Sequence, residues 1–165
     1  MSKRLNFIVA CGENRVIGRD GKLPWSIPED MEHFHAMTRG QTVVLGRICY
    51  ETWPRVLLDG RVPVVITRNQ SLAQPGVHIA ESVDDALAIA QTLPGEILIC
   101  GGQKIYEETL ERADRIYLTL VHAEVPGDTF FPDWGRLSWR ESDRRESSNA
   151  NYRYTFSTLE RIRYD

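Results

Sequence analysis

Three groups of residues stand where chemistry could be done. Two are glycine–cation pairs at the ends of apolar runs. Val43-Val44-Leu45 leads into Gly46-Arg47, and Ile97-Leu98-Ile99-Cys100 leads into Gly101-Gly102-Gln103-Lys104. Where a strand gives way to a helix, free backbone N–H groups and the helix dipole attract anions. Glycine there lets a ligand approach the backbone closely. Two such cradles in one sheet suit a ligand with several phosphates, such as a dinucleotide. Neither matches G-x-G-x-x-G or the P-loop, and each taken alone also reads as a tight strand–helix turn. The third group is Asp30, in the first turn of a helix that opens Pro28-Glu29-Asp30 and carries Phe34 at i+4 on the same face. A carboxylate beside an apolar ring has its ionised form disfavoured by desolvation unless a donor or cation compensates. The ordinary alternative is an acid that only complements the helix dipole. Composition does not choose between Glu29 and Asp30, whose side chains point about 100° apart.

These residues need elements to hold them. Leu5–Cys11, Thr42–Leu45, Val62–Thr67, Val77–Ala80, Glu96–Cys100 and Ile116–Val121 are short apolar runs with β-branched content, and each reads as a strand. Helices alternate with them. One runs from Pro28 towards Gly40 with Met31, Phe34 and Thr38 on its less polar face. A short one spans Arg47–Trp53, one follows the capping sequence Ser82-Val83-Asp84-Asp85, and one covers Gln103–Leu110. Strand–helix alternation predicts an α/β sheet with parallel pairs. Leu137–Glu146 and Tyr152–Arg161, joined by Ser147-Ser148-Asn149-Ala150-Asn151, predict an antiparallel hairpin closing one edge. Gly12–Trp25, with Gly12, Gly18, Gly21 and Leu23-Pro24-Trp25, is longer than most loops within compact domains. It reads as a lid over the strand ends, or as a long surface loop.

Composition bounds the rest. The chain has 165 residues, a usual length for one domain, and 1–165 is read as a single unit. Twenty basic against 23 acidic residues give a net charge of −3, which disfavours a dedicated nucleic-acid binder. Cys11, Cys49 and Cys100 form no C-x-x-C pair and read as reduced thiols of a cytoplasmic protein. The apolar runs reach five residues, against about 20 for a membrane span. His33, His35, His78 and His122 have no metal-ligand spacing, so no metal site is expected.

Together the motifs resemble the dihydrofolate reductase family. Arg15-Val16-Ile17-Gly18, Leu23-Pro24-Trp25, Pro28-Glu29-Asp30 with Phe34, Gly46-Arg47, Cys100-Gly101-Gly102 with Ile105-Tyr106-Glu107, and Gly127-Asp128-Thr129 with Phe131-Pro132 occur in family order over essentially the whole chain. The resemblance implies a mostly parallel eight-stranded sheet with helices on both faces and an antiparallel C-terminal edge hairpin. It implies reduction of 7,8-dihydrofolate by NADPH, with a hydride passing to C6 and a proton to N5, in a monomeric enzyme. A related pterin or pyrimidine reductase, or a silent NADPH-binding module, are the alternatives.

Residue by residue, the resemblance makes Asp30 the pterin-facing carboxylate, with Thr119 bonding it from behind and Trp25 ordering a water near it. The backbones of Ile8 and Cys100, with Val9 beside them, would line the pterin, and Tyr106 would lie near the nicotinamide. Phe34, Trp53, Leu57 and Leu58 would wall the aminobenzoyl group, and Arg61 would pair the glutamate α-carboxylate in a bidentate fork. Ala10, Ile17, Gly18 and the lid residue Leu23 would contact the nicotinamide. Gly46, Arg47, Ile48 and Cys49, with Gly101, Gly102, Gln103, Lys104 and Ile105, would hold the pyrophosphate, and Gly101-Gly102 would be joined by a cis peptide. Thr67, Arg68 and Asn69 would take the adenosine end, with Arg47 and Arg68 near the 2′-phosphate. Ile48 and Cys49 stand where the family often has a polar pair, Gln103 where it often has a third glycine, and Glu81 where some members carry a base.

Overall fold

The computed structural model describes residues 2–164. The first and last residues of the expected 1–165 unit lie outside the described residues. The elements run β1 (Leu5–Gly12), β2 (Val16–Gly18), α1 (Pro28–Thr38), β3 (Thr42–Gly46), α2 (Arg47–Glu51), β4 (Val62–Ile66), β5 (His78–Ala80), α3 (Val83–Ala90), β6 (Ile97–Gly101), α4 (Gln103–Thr109), β7 (Arg115–Val121), β8 (Thr129–Phe130), β9 (Trp139–Ser148) and β10 (Arg153–Arg161). Eight strands form one sheet in the order β5-β4-β3-β6-β1-β7-β10-β9. The pairs among β1, β3, β4, β5, β6 and β7 are parallel. β10 is antiparallel to both β7 and β9. The expected α/β sheet with its C-terminal hairpin is present; the reversed strand is β10, and the edge itself is β9.

Side-chain alternation along the strands builds a layer on each face. Phe7, Val44, Ile97, Ile99 and Ile116 pack with Ala86, Leu87 and Ala90 of α3 and with Ile105 of α4. Their neighbours Ile8, Val43, Leu45, Val65 and Leu98 pack on the other face with Phe34 and Met37 of α1 and Cys49 and Tyr50 of α2. α1 begins as its sequence suggests, with Pro28 in the first turn ahead of Glu29 and Asp30. Its inward side is made by Asp30, Phe34, Met37 and Thr38, whereas Met31 lies exposed.

The parallel strands end together, and their C-terminal ends are the usual ligand position of such sheets. One register detail makes the opening. β1 pairs with β7 as far as Gly12↔Val121, but with β6 only as far as Phe7↔Ile99. Beyond that point β1 and β6 separate, and the segments after Phe7 and Ile99 face a gap.

The segment after β1 is less loose than its length suggests. β2 within it pairs with β8 in a second, two-stranded sheet. Backbone bonds from Phe131 to Arg15 and from Asp128 to Gly18 dock it further, at 2.8 and 3.0 Å. Gly127 permits this approach: a Cβ there would meet Val16 Cγ1 at 2.3 Å and the Gly18 carbonyl at 2.6 Å.

Candidate active site

The two first-turn acids of α1 have different fates. Glu29 turns to the hairpin, where it accepts hydrogen bonds from Ser147 (2.6 Å), Tyr154 (2.7 Å) and Arg145 (2.8 Å). These donors hold its carboxyl down, at about 2. Asp30 turns inward and is 6% exposed. Its Oδ1 accepts from Thr119 Oγ1 at 2.7 Å. Oδ2 has no hydrogen-bond partner among the described residues and is not sealed in the interior. Burial pushes the Asp30 carboxyl above its ordinary range; the Thr119 bond pulls the other way, and the Glu29 charge adds to the rise. Thr119 is opposite Ala10 in the β1–β7 register, so the carboxylate is tied to the C-terminal half of β7, the strand next to β1.

The walls come from several elements. Phe34 and Trp53 meet with ring centroids 4.9 Å apart. Leu58 is exposed. Leu57 is also exposed, with one methyl beside Gly76, ahead of β5. Val9 faces the α3–α4 layer, so only its backbone borders the gap. The Tyr106 hydroxyl donates to the Ile8 carbonyl at 2.7 Å, while its ring packs against Phe7 and Phe131. Burial raises its pKa well above the ordinary value, so the hydroxyl keeps its proton and acts as a donor. Trp25 is buried, and its Nε1 has no acceptor among the described residues.

Arg61 is buried, with its guanidinium 5.3 Å from the Trp53 ring centroid. Nε donates to Thr38 Oγ1, Nη1 to the Leu58 carbonyl and Nη2 to the His35 carbonyl, each at 2.8 Å. A guanidinium has five N–H bonds, so one remains on each terminal nitrogen. His35 and Thr38 are the functional neighbours that sequence reasoning missed. For Thr38 the available signal was spacing, since 30, 34 and 38 share one helical face; His35 acts through its backbone carbonyl, which its residue type does not signal.

The glycine cradles are brought side by side. Leu45 of β3 is in register with Gly101 of β6. A Cβ on Gly46 would meet Ile105 Cδ1 at 3.3 Å and the Gly102 nitrogen at 3.9 Å. Gly101-Gly102 is a cis peptide, and Gly101 has φ +118°, where a side chain would be strained. Arg47 is ion-paired with Glu51 one turn on. Ile48 is exposed, and Cys49 Sγ borders both Gly101 and Gly102. The Gln103 side chain is committed to Glu107 (2.7 Å) and to the Phe130 backbone N–H (2.8 Å), tying α4 to the lid's partner strand. Lys104 is exposed. Thr67-Arg68-Asn69 follows β4 at the same sheet end, with Arg68 exposed and in no ion pair among the described residues. Ile17 and Gly18 sit in β2, and Leu23 is exposed on the lid.

A family model described as dihydrofolate reductase matches residues 4–161. The chain is 41% identical over 162 residues to dihydrofolate reductase type 3 of Salmonella typhimurium, covering 96% of this chain and 99% of that protein. It is 32% identical over 161 residues to dihydrofolate reductase of Bacillus subtilis, covering 95% and 94%. A solved structure of dihydrofolate reductase from Enterococcus faecalis, complexed with NADP(H) and RAB-propyl, superimposes with a TM-score of 0.84 at 34% identity over 96% of each chain. The chain belongs to the dihydrofolate reductase family.

Proposed function

We infer that this protein catalyses the NADPH-dependent reduction of 7,8-dihydrofolate to 5,6,7,8-tetrahydrofolate. The observation that carries the reading is the buried Asp30 carboxylate, anchored through one oxygen by Thr119 and open through the other. A flat heterocycle with adjacent N–H donors is the partner such a group selects, since an unpaired buried carboxylate is costly.

The residues present fit the cofactor. The bare backbone at Gly46 and Gly101-Gly102 leaves space a Cβ would fill, and Arg47 and Arg68 supply cations for phosphates. In this reading Gly46, Arg47, Ile48 and Cys49, with Gly101–Ile105, hold the pyrophosphate. Thr67, Arg68 and Asn69 take the adenosine end, and Ala10, Ile17, Gly18 and Leu23 border the nicotinamide. When bound, NADPH supplies the hydride for C6 of dihydrofolate.

The chain's own residues do the rest. Asp30 accepts hydrogen bonds from the pterin 2-amino group and N3, and its charge favours the protonated pterin. At about 4 Å and an effective dielectric of about 20, such attraction is roughly 4 kcal/mol, useful as far as it grows towards the transition state. Trp25 offers its unpaired indole N–H to a water that relays the proton to N5. Tyr106 fixes the Ile8 carbonyl at the pterin edge. Phe34, Trp53, Leu57 and Leu58 wall the aminobenzoyl group, and the two remaining N–H bonds of Arg61 fork onto the glutamate α-carboxylate. Leu23 shields the nicotinamide from bulk water.

NADPH absorbance should fall only when dihydrofolate is added. Binding without turnover would favour the silent module, and equal turnover of a pterin lacking the glutamate tail would favour the related reductase. We also propose a monomeric, cytoplasmic protein of one domain that binds no nucleic acid. In support, the main sheet draws on both halves of the chain, the described cysteines are free, and the net charge is −3.

A further inference from the structure

We propose that Asp59 is a built-in competitor for the substrate's carboxylate, and that its hold on Arg61 sets the KM for dihydrofolate. This rests on the reading that Arg61 receives the glutamate α-carboxylate. Arg61 is fixed by its three 2.8 Å bonds, and its side chain is 3% exposed. Asp59 Oδ2 lies 3.6 Å from Nη1, one of the two nitrogens that keep a free N–H. That separation is a charge contact, too long for a good hydrogen bond. A carboxylate able to take the free N–H bonds bidentately therefore displaces it, but against its opposition.

Two features place Asp59 there. Asp59 (φ 61°) and Gly60 (φ 74°) adopt consecutive left-handed conformations, the Asp-Gly pattern of a tight turn between Leu58 and Arg61. Arg39, on the solvent side, shares the same oxygen at 3.8 Å from its Nε. Asp59 is thus divided between an exposed arginine and the buried one. Strengthening either attachment weakens the other, so substitutions at 59 and 39 must move substrate binding in opposite directions.

The test compares Asp59→Asn and Arg39→Gln with wild type, using dihydrofolate and 7,8-dihydropterin, which lacks the glutamate tail. Asparagine keeps the left-handed conformation accessible. Asp59→Asn should lower the dihydrofolate KM about two- to fivefold, the range of exposed ion pairs. Arg39→Gln should raise it by a similar factor, and neither should move the KM for dihydropterin. An unchanged or higher dihydrofolate KM in Asp59→Asn, or an equal shift with both substrates, overturns the proposal. If wild type fails to oxidise NADPH with dihydrofolate, the functional reading falls first. If Arg61→Lys leaves the dihydrofolate KM unchanged, the placement of Arg61 falls.

Discussion

Thr119 Oγ1 donates to Asp30 Oδ1 at 2.7 Å, joining the first turn of α1 to a strand 89 residues further along the chain. The bond fixes one carboxylate oxygen and leaves the other for a ligand. Thr119→Val keeps the shape and removes the donor. We expect a loss of about 1.5–3 kcal/mol in stability, the range for a hydrogen bond to a charged group. The Asp30 pKa should rise further, because this bond opposes the rise that burial causes. Denaturant unfolding and carboxyl-labelled NMR check both effects.

Glu29 and Asp30 should leave opposite marks on stability. The folded Asp30 carboxyl is raised above 3.8, so the native state keeps a proton that the unfolded chain has lost. Its contribution to stability falls as pH rises from 3.8 through the raised value. Asp30→Asn should therefore melt above wild type at neutral pH, with the difference closing in acid.

Glu29 is lowered from 4.5 to about 2 by Ser147, Arg145 and Tyr154. Its contribution is complete above 4.5 and is lost as pH falls towards 2. Glu29→Gln should melt below wild type at neutral pH and converge with it near pH 2.

Arg61→Lys keeps the charge but loses the fork. We expect the dihydrofolate KM to rise about tenfold or more, as befits loss of a charge-assisted hydrogen bond. The NADPH KM should change little. Equal changes in steady-state kinetics would mean that Arg61 does not face the substrate.

Gly127→Ala would drive a methyl into Val16 and the Gly18 carbonyl. Backbone cannot yield as a side-chain tip can, so β8 should part from β2. We expect NADPH affinity to fall by about fivefold to a hundredfold, the equivalent of about 1–3 kcal/mol of overpacking, while the main sheet is retained. Fluorescence titration and far-UV circular dichroism separate the two.

Local signals in the sequence were enough for the central strands, because alternating apolar residues had to face two layers. They were enough for the start of α1, where Pro28 and two acids sit together. They did not separate Glu29 from Asp30, since the partners of Glu29 lie on β9 and β10, 116 to 125 positions away. The β2–β8 pairing escaped notice because strands of three and two residues carry no periodicity. Gln103 carried no sign in the sequence of the bond that its side chain accepts from the Phe130 backbone N–H.

The most direct test is the single-turnover rate of NADPH oxidation by dihydrofolate in wild type and Asp30→Asn across pH. The account predicts that the variant is slower by about 10²-fold or more at neutral pH, the scale of positioned proton transfer. The deficit should narrow in acid as solvent protonates the pterin without help. Equal rates at neutral pH, or a deficit that does not vary with pH, would contradict it.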